Sequence, residues 1–169
     1  MPGYLAIIAG KDEFLVDQDG RACFEKAKKA AGADAEAEVI NGQIIRVDDA
    51  RVLEVQFTES VKTLSMFGSK RVIWLRNLNL VSDSVQAKSE EVKESLANML
   101  KVVVESDPAV SIIISATPYD GRRKDLSSLK SEATDFILHA SPSKSPFDKS
   151  DAQADAQVAL AVERFKTLG

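Results

Sequence analysis

Apolar runs at residues 4–9, 72–75, 110–116 and 134–138, with a weaker one at 38–45, have the length and composition of buried β-strands. The segments between them carry apolar residues at helical spacing and predict helices over residues 12–31, 48–65, 89–105 and 122–131. Alternating strands and helices predict a three-layer α/β fold, a mostly parallel five-stranded sheet flanked by helices on both faces. Asn41-Gly42 could turn a hairpin between residues 39–40 and 43–45 or end the second strand, and the parallel alternation elsewhere favours the second.

Within this pattern residues 63–77, TLSMFGSKRVIWLRN, stand out. Leu53, Phe57, Val61 and Leu64 share one face of the helix that begins near Asp48 and Asp49. Met66 and Phe67 follow its last turn. Gly68 can adopt the left-handed conformation that ends a helix, and Ser69, Lys70 and Arg71 precede the strand from Val72. On the residues alone Met66 and Phe67 are read as core, because large apolar side chains after an amphipathic helix are usually buried.

Charge and composition narrow the classes. The chain has 169 residues, enough for one ordinary domain. Its 22 basic and 26 acidic residues give a net charge of -4, which is not the footprint of an autonomous DNA-binding protein. The single cysteine, Cys23, excludes an internal disulfide and fits a reducing cytoplasm, where it reads as a small helix residue. Residues 4–9 are too short to span a membrane and have no basic leader, so a cytoplasmic protein is expected. Residues 141–150, rich in proline, serine and lysine, read as a linker. A helix with Ala154, Val158, Ala161, Val162 and Phe165 on one stripe follows, so the expected division is residues 1–141 as one domain and 142–169 as the linker and first helix of another.

Most catalytic chemistry is missing. Between the first strand and helix the chain reads Ala9-Gly10-Lys11-Asp12-Glu13, without the glycine loop and Lys-Ser/Thr pair that hold nucleotide phosphates and magnesium. Asp12 is expected to cap the helix, so two carboxylates occupy an N-terminus whose dipole would otherwise attract phosphate. The strand 72–75 runs into Arg76-Asn77, where a nucleotide-hydrolysing motor needs acidic magnesium ligands. Lys11 and Arg76 read as solvated charges. His139 is the only histidine and no Cys-x-x-Cys occurs, so no metal site is expected; His139 reads as an ordinary strand-end residue. No catalytic residue and no cofactor are assigned.

Three motifs in order carry a resemblance to a known family. Residues 4–14, YLAIIAGKDEF, the 63–77 stretch and residues 119–129, YDGRRKDLSSL, resemble the delta subunit of the bacterial DNA polymerase III clamp loader over residues 1 to about 141. The resemblance implies a degenerate AAA+/P-loop-like domain that neither binds nor hydrolyses ATP. It also implies that Met66 and Phe67 enter an apolar pocket on the sliding clamp, Met66 replacing the more usual leucine, and that binding favours an open ring. Expected partners are the sliding clamp and, in a longer chain, the other clamp-loader subunits, with DNA met only indirectly and no membrane contact. Residues 142–169 would be the linker and first helix of an incomplete lid domain, and the helical collar domain would lie beyond Gly169, so this chain is expected to be monomeric. Arg122, Arg123 and Lys124 read as the start of a helix and as a solvated face, the alternative being contact with a neighbouring loader subunit or with DNA phosphates. The rival functions are a phosphohydrolase of the same fold and a noncatalytic interaction domain for another partner.

Overall fold

A computed structural model describes residues 1–63 and 69–140. Its elements run β1 (Tyr4–Gly10), α1 (Glu13–Ala31), β2 (Glu36–Asn41), α2 (Asp49–Lys62), β3 (Arg71–Leu78), α3 (Glu90–Val104), β4 (Val110–Ala116) and β5 (Asp135–His139), with single 3-10 turns at Gln86–Lys88 and Ser127–Leu129. The strands form one sheet, parallel throughout, in the order β2-β3-β4-β1-β5. Asn41-Gly42 therefore ends β2 and makes no hairpin.

The inner strands β1, β3 and β4 are apolar on both faces because helices cover both, while edge strand β2 is largely exposed. Alternation sends Ala6, Ile8, Val72, Trp74 and Ile113 to one side, where they pack with Val16, Cys23, Phe24 and Ala27 of α1. It sends Leu5, Ile7, Ile73, Leu75, Ile112 and Ile114 to the other, against Leu53, Phe57 and Val61 of α2 and Leu96, Met99 and Val103 of α3. Cys23 is buried as expected of a helix packing residue, and that burial pushes its thiol up.

Local chemistry fixes the helix ends. The Asp12 carboxylate accepts the Leu15 N–H at 3.1 Å, and Gly32 closes α1 at φ 103°, its N–H donating to the Lys28 carbonyl. Ser89 caps α3 by accepting from the Val92 N–H at 3.2 Å. At α2 the Asp49 carboxylate accepts from the Arg46 N–H at 2.8 Å and the Ile45 N–H at 3.3 Å. Those backbone bonds, the Arg46 bond first, hold its pKa below the ordinary carboxylate value.

Four expectations are corrected. Residues 122–131 form no α-helix: Arg122 lies in a turn and Arg123 and Lys124 in irregular chain before the 3-10 turn, because Arg123 turns inward to cap distant carbonyls. β2 starts at Glu36 and stops at Asn41; past it, the Asn79 side chain takes both the N–H and the carbonyl of Ile44 at 2.9 Å, removing residues 44–45 from the sheet. β3 continues through Arg76-Asn77 to Leu78, with a register shift between Leu75 and Leu78 and Asn77 at φ 58°. α2 ends at Lys62, earlier than predicted: Thr63 is extended, and both its N–H and its hydroxyl bond the Glu59 carbonyl. Leu64, Met66, Phe67 and Gly68 lie outside the described residues, as does the segment from Ser141 onward.

Candidate functional site

The carboxyl ends of β1, β3 and β4 converge on an open cleft of about 590 Å³ lined by Lys11, Ser82, Asp83, Tyr119, Asp120 and Arg122. Ligands of parallel sheets bind at this end. Here the chain's own charges occupy it. Arg122 donates to both oxygens of Asp120 at 2.9 Å and reaches Asp83 at 2.9 Å, while Lys88 also pairs with Asp83. The bonds from Arg122 lower the Asp120 pKa to about 2 and raise that of the guanidinium; Lys88 lowers Asp83. Both carboxylates thus remain ionised on the cleft wall, where they oppose a phosphate.

The turn from β1 to α1 is equally unsuited to a polyphosphate. Asp12 already accepts a first-turn N–H of α1, so the positive helix end faces a fixed carboxylate. At Gly10 β5 passes so closely that a Cβ would lie 2.8 Å from that of His139. His139 Nε2 is 2.8 Å from the Asp19 carboxylate of α1, which fits a strand-end residue tying β5 down. Among the described residues no group of three or more His, Cys, Asp or Glu could hold a metal ion.

The three cations singled out in the sequence separate in space. Arg122 is spent on the cleft carboxylates. Arg123 is largely buried; its Nη1 donates to the carbonyls of Leu80 and Ala87 at 3.0 Å and its Nε pairs with Asp125 at 2.7 Å. Lys124 alone is exposed without such a role. Arg76, expected as a solvated charge, instead pairs with Asp17 of α1 and lies 5.4 Å from the Trp74 ring centroid. Lys11 is exposed, as expected.

At the opposite, amino end of the sheet, the residues bracketing 64–68 form a polar frame that the sequence reading missed. The Lys70 carbonyl accepts from Glu36 of β2, and the Arg71 N–H donates to Ala109 beside β4, both at 3.0 Å. The Arg71 side chain, 16% exposed, crosses to the Thr63 carbonyl at 3.1 Å and to Glu38 at 3.4 Å. Sequence spacing gave no signal for a contact between Arg71 and the end of α2, because it depends on how β2 and β3 pair. Met66 and Phe67 themselves lie outside the described residues.

No helix among the described residues is long and apolar enough to cross a membrane. Comparison with curated proteins found no match. A family model described as DNA polymerase III, delta subunit matches residues 7–138. That match takes in β2, β3 and β4 whole, most of β1 and β5, the carboxyl-end cleft and the frame at the amino end, and the observed α/β architecture agrees with it. The chain therefore belongs to the DNA polymerase III delta subunit family, whose place in DNA replication is in the clamp loader.

Proposed function

We propose that this domain binds the sliding clamp through Met66 and Phe67 and, by preferring an open ring, assists clamp loading without using ATP. The observation that carries the reading is the frame at the amino end of β3, where Lys70 and Arg71 bond to Glu36 of β2 and Ala109 beside β4, and the Arg71 side chain reaches the Thr63 carbonyl at the end of α2. A short segment bracketed in this way suits the display of two apolar anchors. Each large apolar side chain buried in a partner pocket contributes about 1.5–3 kcal/mol. The ring is shifted only by the difference between the domain's affinities for its open and closed forms.

In this reading the fold is a degenerate AAA+-like domain in the cytoplasm. Its carboxyl-end cleft is walled by the paired charges of Asp83, Asp120 and Arg122, and nucleotide control belongs to other loader subunits. Residues 142–169 begin a lid domain. Contact with a neighbouring subunit or DNA phosphates falls to Arg122, Arg123 and Lys124, with exposed Lys124 foremost, since Arg122 also pairs with Asp120 and Asp83 and Arg123 donates to the Leu80 and Ala87 carbonyls.

The test is calorimetric titration of the chain with the purified sliding clamp. Met66→Ala/Phe67→Ala should leave the thermal midpoint nearly unchanged and weaken binding by at least about 2 kcal/mol, roughly thirtyfold. Leu53→Ala, on the buried stripe of α2, is the control and should lower stability by about 2–5 kcal/mol. A double variant that unfolds early, or binds the clamp like the parent, would refute the assignment.

A further inference from the structure

We infer that the outer edge of β2 is a docking edge for an extended, basic segment of a protein partner, which joins the sheet as a further strand. The inference stands independently of the clamp reading. The strand order puts β2 at one margin of the sheet, with β3 on its inner side. The Glu36 N–H donates to the Lys70 carbonyl and the Gly42 N–H to the Arg76 carbonyl, so the even-numbered residues of β2 turn their backbone groups toward β3. Ala37, Val39 and Asn41 therefore turn theirs outward, and all three residues are exposed. The margin thus presents a backbone donor and acceptor at every second residue, none of them bonded to backbone among the described residues.

Edge strands ordinarily carry a proline, a bulge or a covering element against such pairing. β2 has no proline, and its residues pair with β3 in unbroken register from Glu36 to Asn41. Its side chains divide between two faces. Ala37 and Val39 lie beside Val72 and Trp74, on the side of α1, but α1 packs on β1, β3 and β4, so Trp74 is 2% exposed and Val39 49%. Glu36 and Glu38 lie on the other face, both part-exposed, and share the one guanidinium of Arg71. Two carboxylates against one cation leave that face negative.

This charge selects the occupant. A second copy of the chain, paired along the same edge, would set two Glu36 and Glu38 faces on one side of the joined sheet, and like charges across a strand pair are destabilising. A segment with cations at alternate positions and apolar residues between them answers both faces: the cations meet Glu36 and Glu38, and the apolar residues cover Val39. Backbone bonds supply the affinity in this mode of recognition and the alternating side chains supply the selectivity.

The experiment is amide hydrogen exchange of the whole chain with and without a short amidated peptide that alternates lysine and valine, with affinity read by calorimetry. The peptide should slow exchange at Ala37, Val39 and Asn41 and leave Glu38 and Ile40, which already face β3, unchanged. Val39→Pro removes one outward N–H and puts a ring in the path of the incoming strand while sparing the bonds to β3. It should weaken binding about tenfold or more, with the thermal midpoint within a few degrees. Val39→Ala keeps the N–H and should lose less. A peptide alternating glutamate and valine should bind at least about tenfold more weakly at low salt, and the gap should narrow as salt rises. Absence of protection at the three outward amides overturns the inference; this pattern is read on the parent chain, so it decides the matter even where Val39→Pro unfolds. A folded Val39→Pro that binds like the parent would also overturn it. Equal binding of the two peptides would overturn the basic character of the partner. Protection that grows with protein concentration without peptide, with a doubled mass in light scattering, would give the edge to a second copy and overturn the partner assigned here.

Discussion

Gly20 sits in the interior of α1, where replacing glycine by alanine ordinarily stabilises a helix by about 0.8–1 kcal/mol. Here packing opposes that gain. A Cβ at Gly20 would lie 3.0 Å from Trp74 Cζ2, 3.2 Å from Trp74 Nε1 and 3.2 Å from the Cβ of Ser115. The indole cannot yield cheaply: it is 2% exposed, its Nε1 donates to the Ser115 hydroxyl at 2.8 Å, and its ring packs on Phe24 with centroids 5.5 Å apart. Overpacking of this kind costs about 1–3 kcal/mol, and displacing the indole would add about 1–3 kcal/mol by stranding a buried donor. Subtracting the helical gain leaves Gly20→Ala destabilised by about 1–5 kcal/mol. Urea unfolding followed by fluorescence of Trp74, the only tryptophan, reports both stability and the local environment. The midpoint should fall by roughly 0.5–2.5 M at a slope of about 2 kcal/mol per M. A midpoint above the parent's, with an unchanged emission maximum, would show that propensity outweighs the contact and that α1 does not seat on Trp74 as described.

Two further outcomes follow from the carboxyl-end cleft. Asp120 has a folded pKa of about 2 against an ordinary 3.8, so its contribution to stability is complete above about pH 4 and disappears as pH falls toward 2. Asp120→Asn should lower the thermal midpoint modestly at pH 6, since the Arg122 side chain is 76% exposed, and the gap should close between about pH 4 and 2; a gap independent of pH would refute the ion-pair account. Magnesium-ATP should give no saturable heat on titration, because Asp12 occupies the α1 N-terminus and the carboxylates of Asp83 and Asp120, held by Arg122, line the cleft. Micromolar binding at this end of the sheet would restore the phosphohydrolase reading.

Much of the architecture was legible because strands buried on both faces leave uninterrupted apolar runs, and residues 110–116 match β4 end to end. Asp12 as the cap of α1 was legible for the same local reason: one side chain, one turn away. The failures lie where distant side chains decide. Ile44 and Ile45 have the composition of a strand, yet Asn79 takes the backbone of Ile44, and a Cβ at Gly42 would lie 2.9 Å from Leu78 Cα, so β2 leaves the sheet there. Leu126 and Leu129 are both buried, but their spacing of three is satisfied by a 3-10 turn, and Arg123 is drawn to carbonyls 36 and 43 residues upstream. At the candidate site the motif drew attention to the apolar pair. Arg71 was invisible as a brace because the Thr63 carbonyl and the β2 glutamates meet only when β2 and β3 pair.

The strand order also dictates a timetable for synthesis. β1 is made early and lies between β4 and β5, with Tyr4 opposite Ser111 and Ala6 opposite Asp135. At about 5–20 residues per second, a ribosome needs roughly 5–20 s after making Tyr4 to reach its partner in β4. Throughout that interval an apolar strand with two open edges is available to any other extended chain. β2 and β3, only 35 residues apart in register, can pair well before β1 is enclosed. The long wait of the first strand makes the nascent chain a client for ribosome-bound chaperones and places its greatest aggregation hazard before the last two strands emerge.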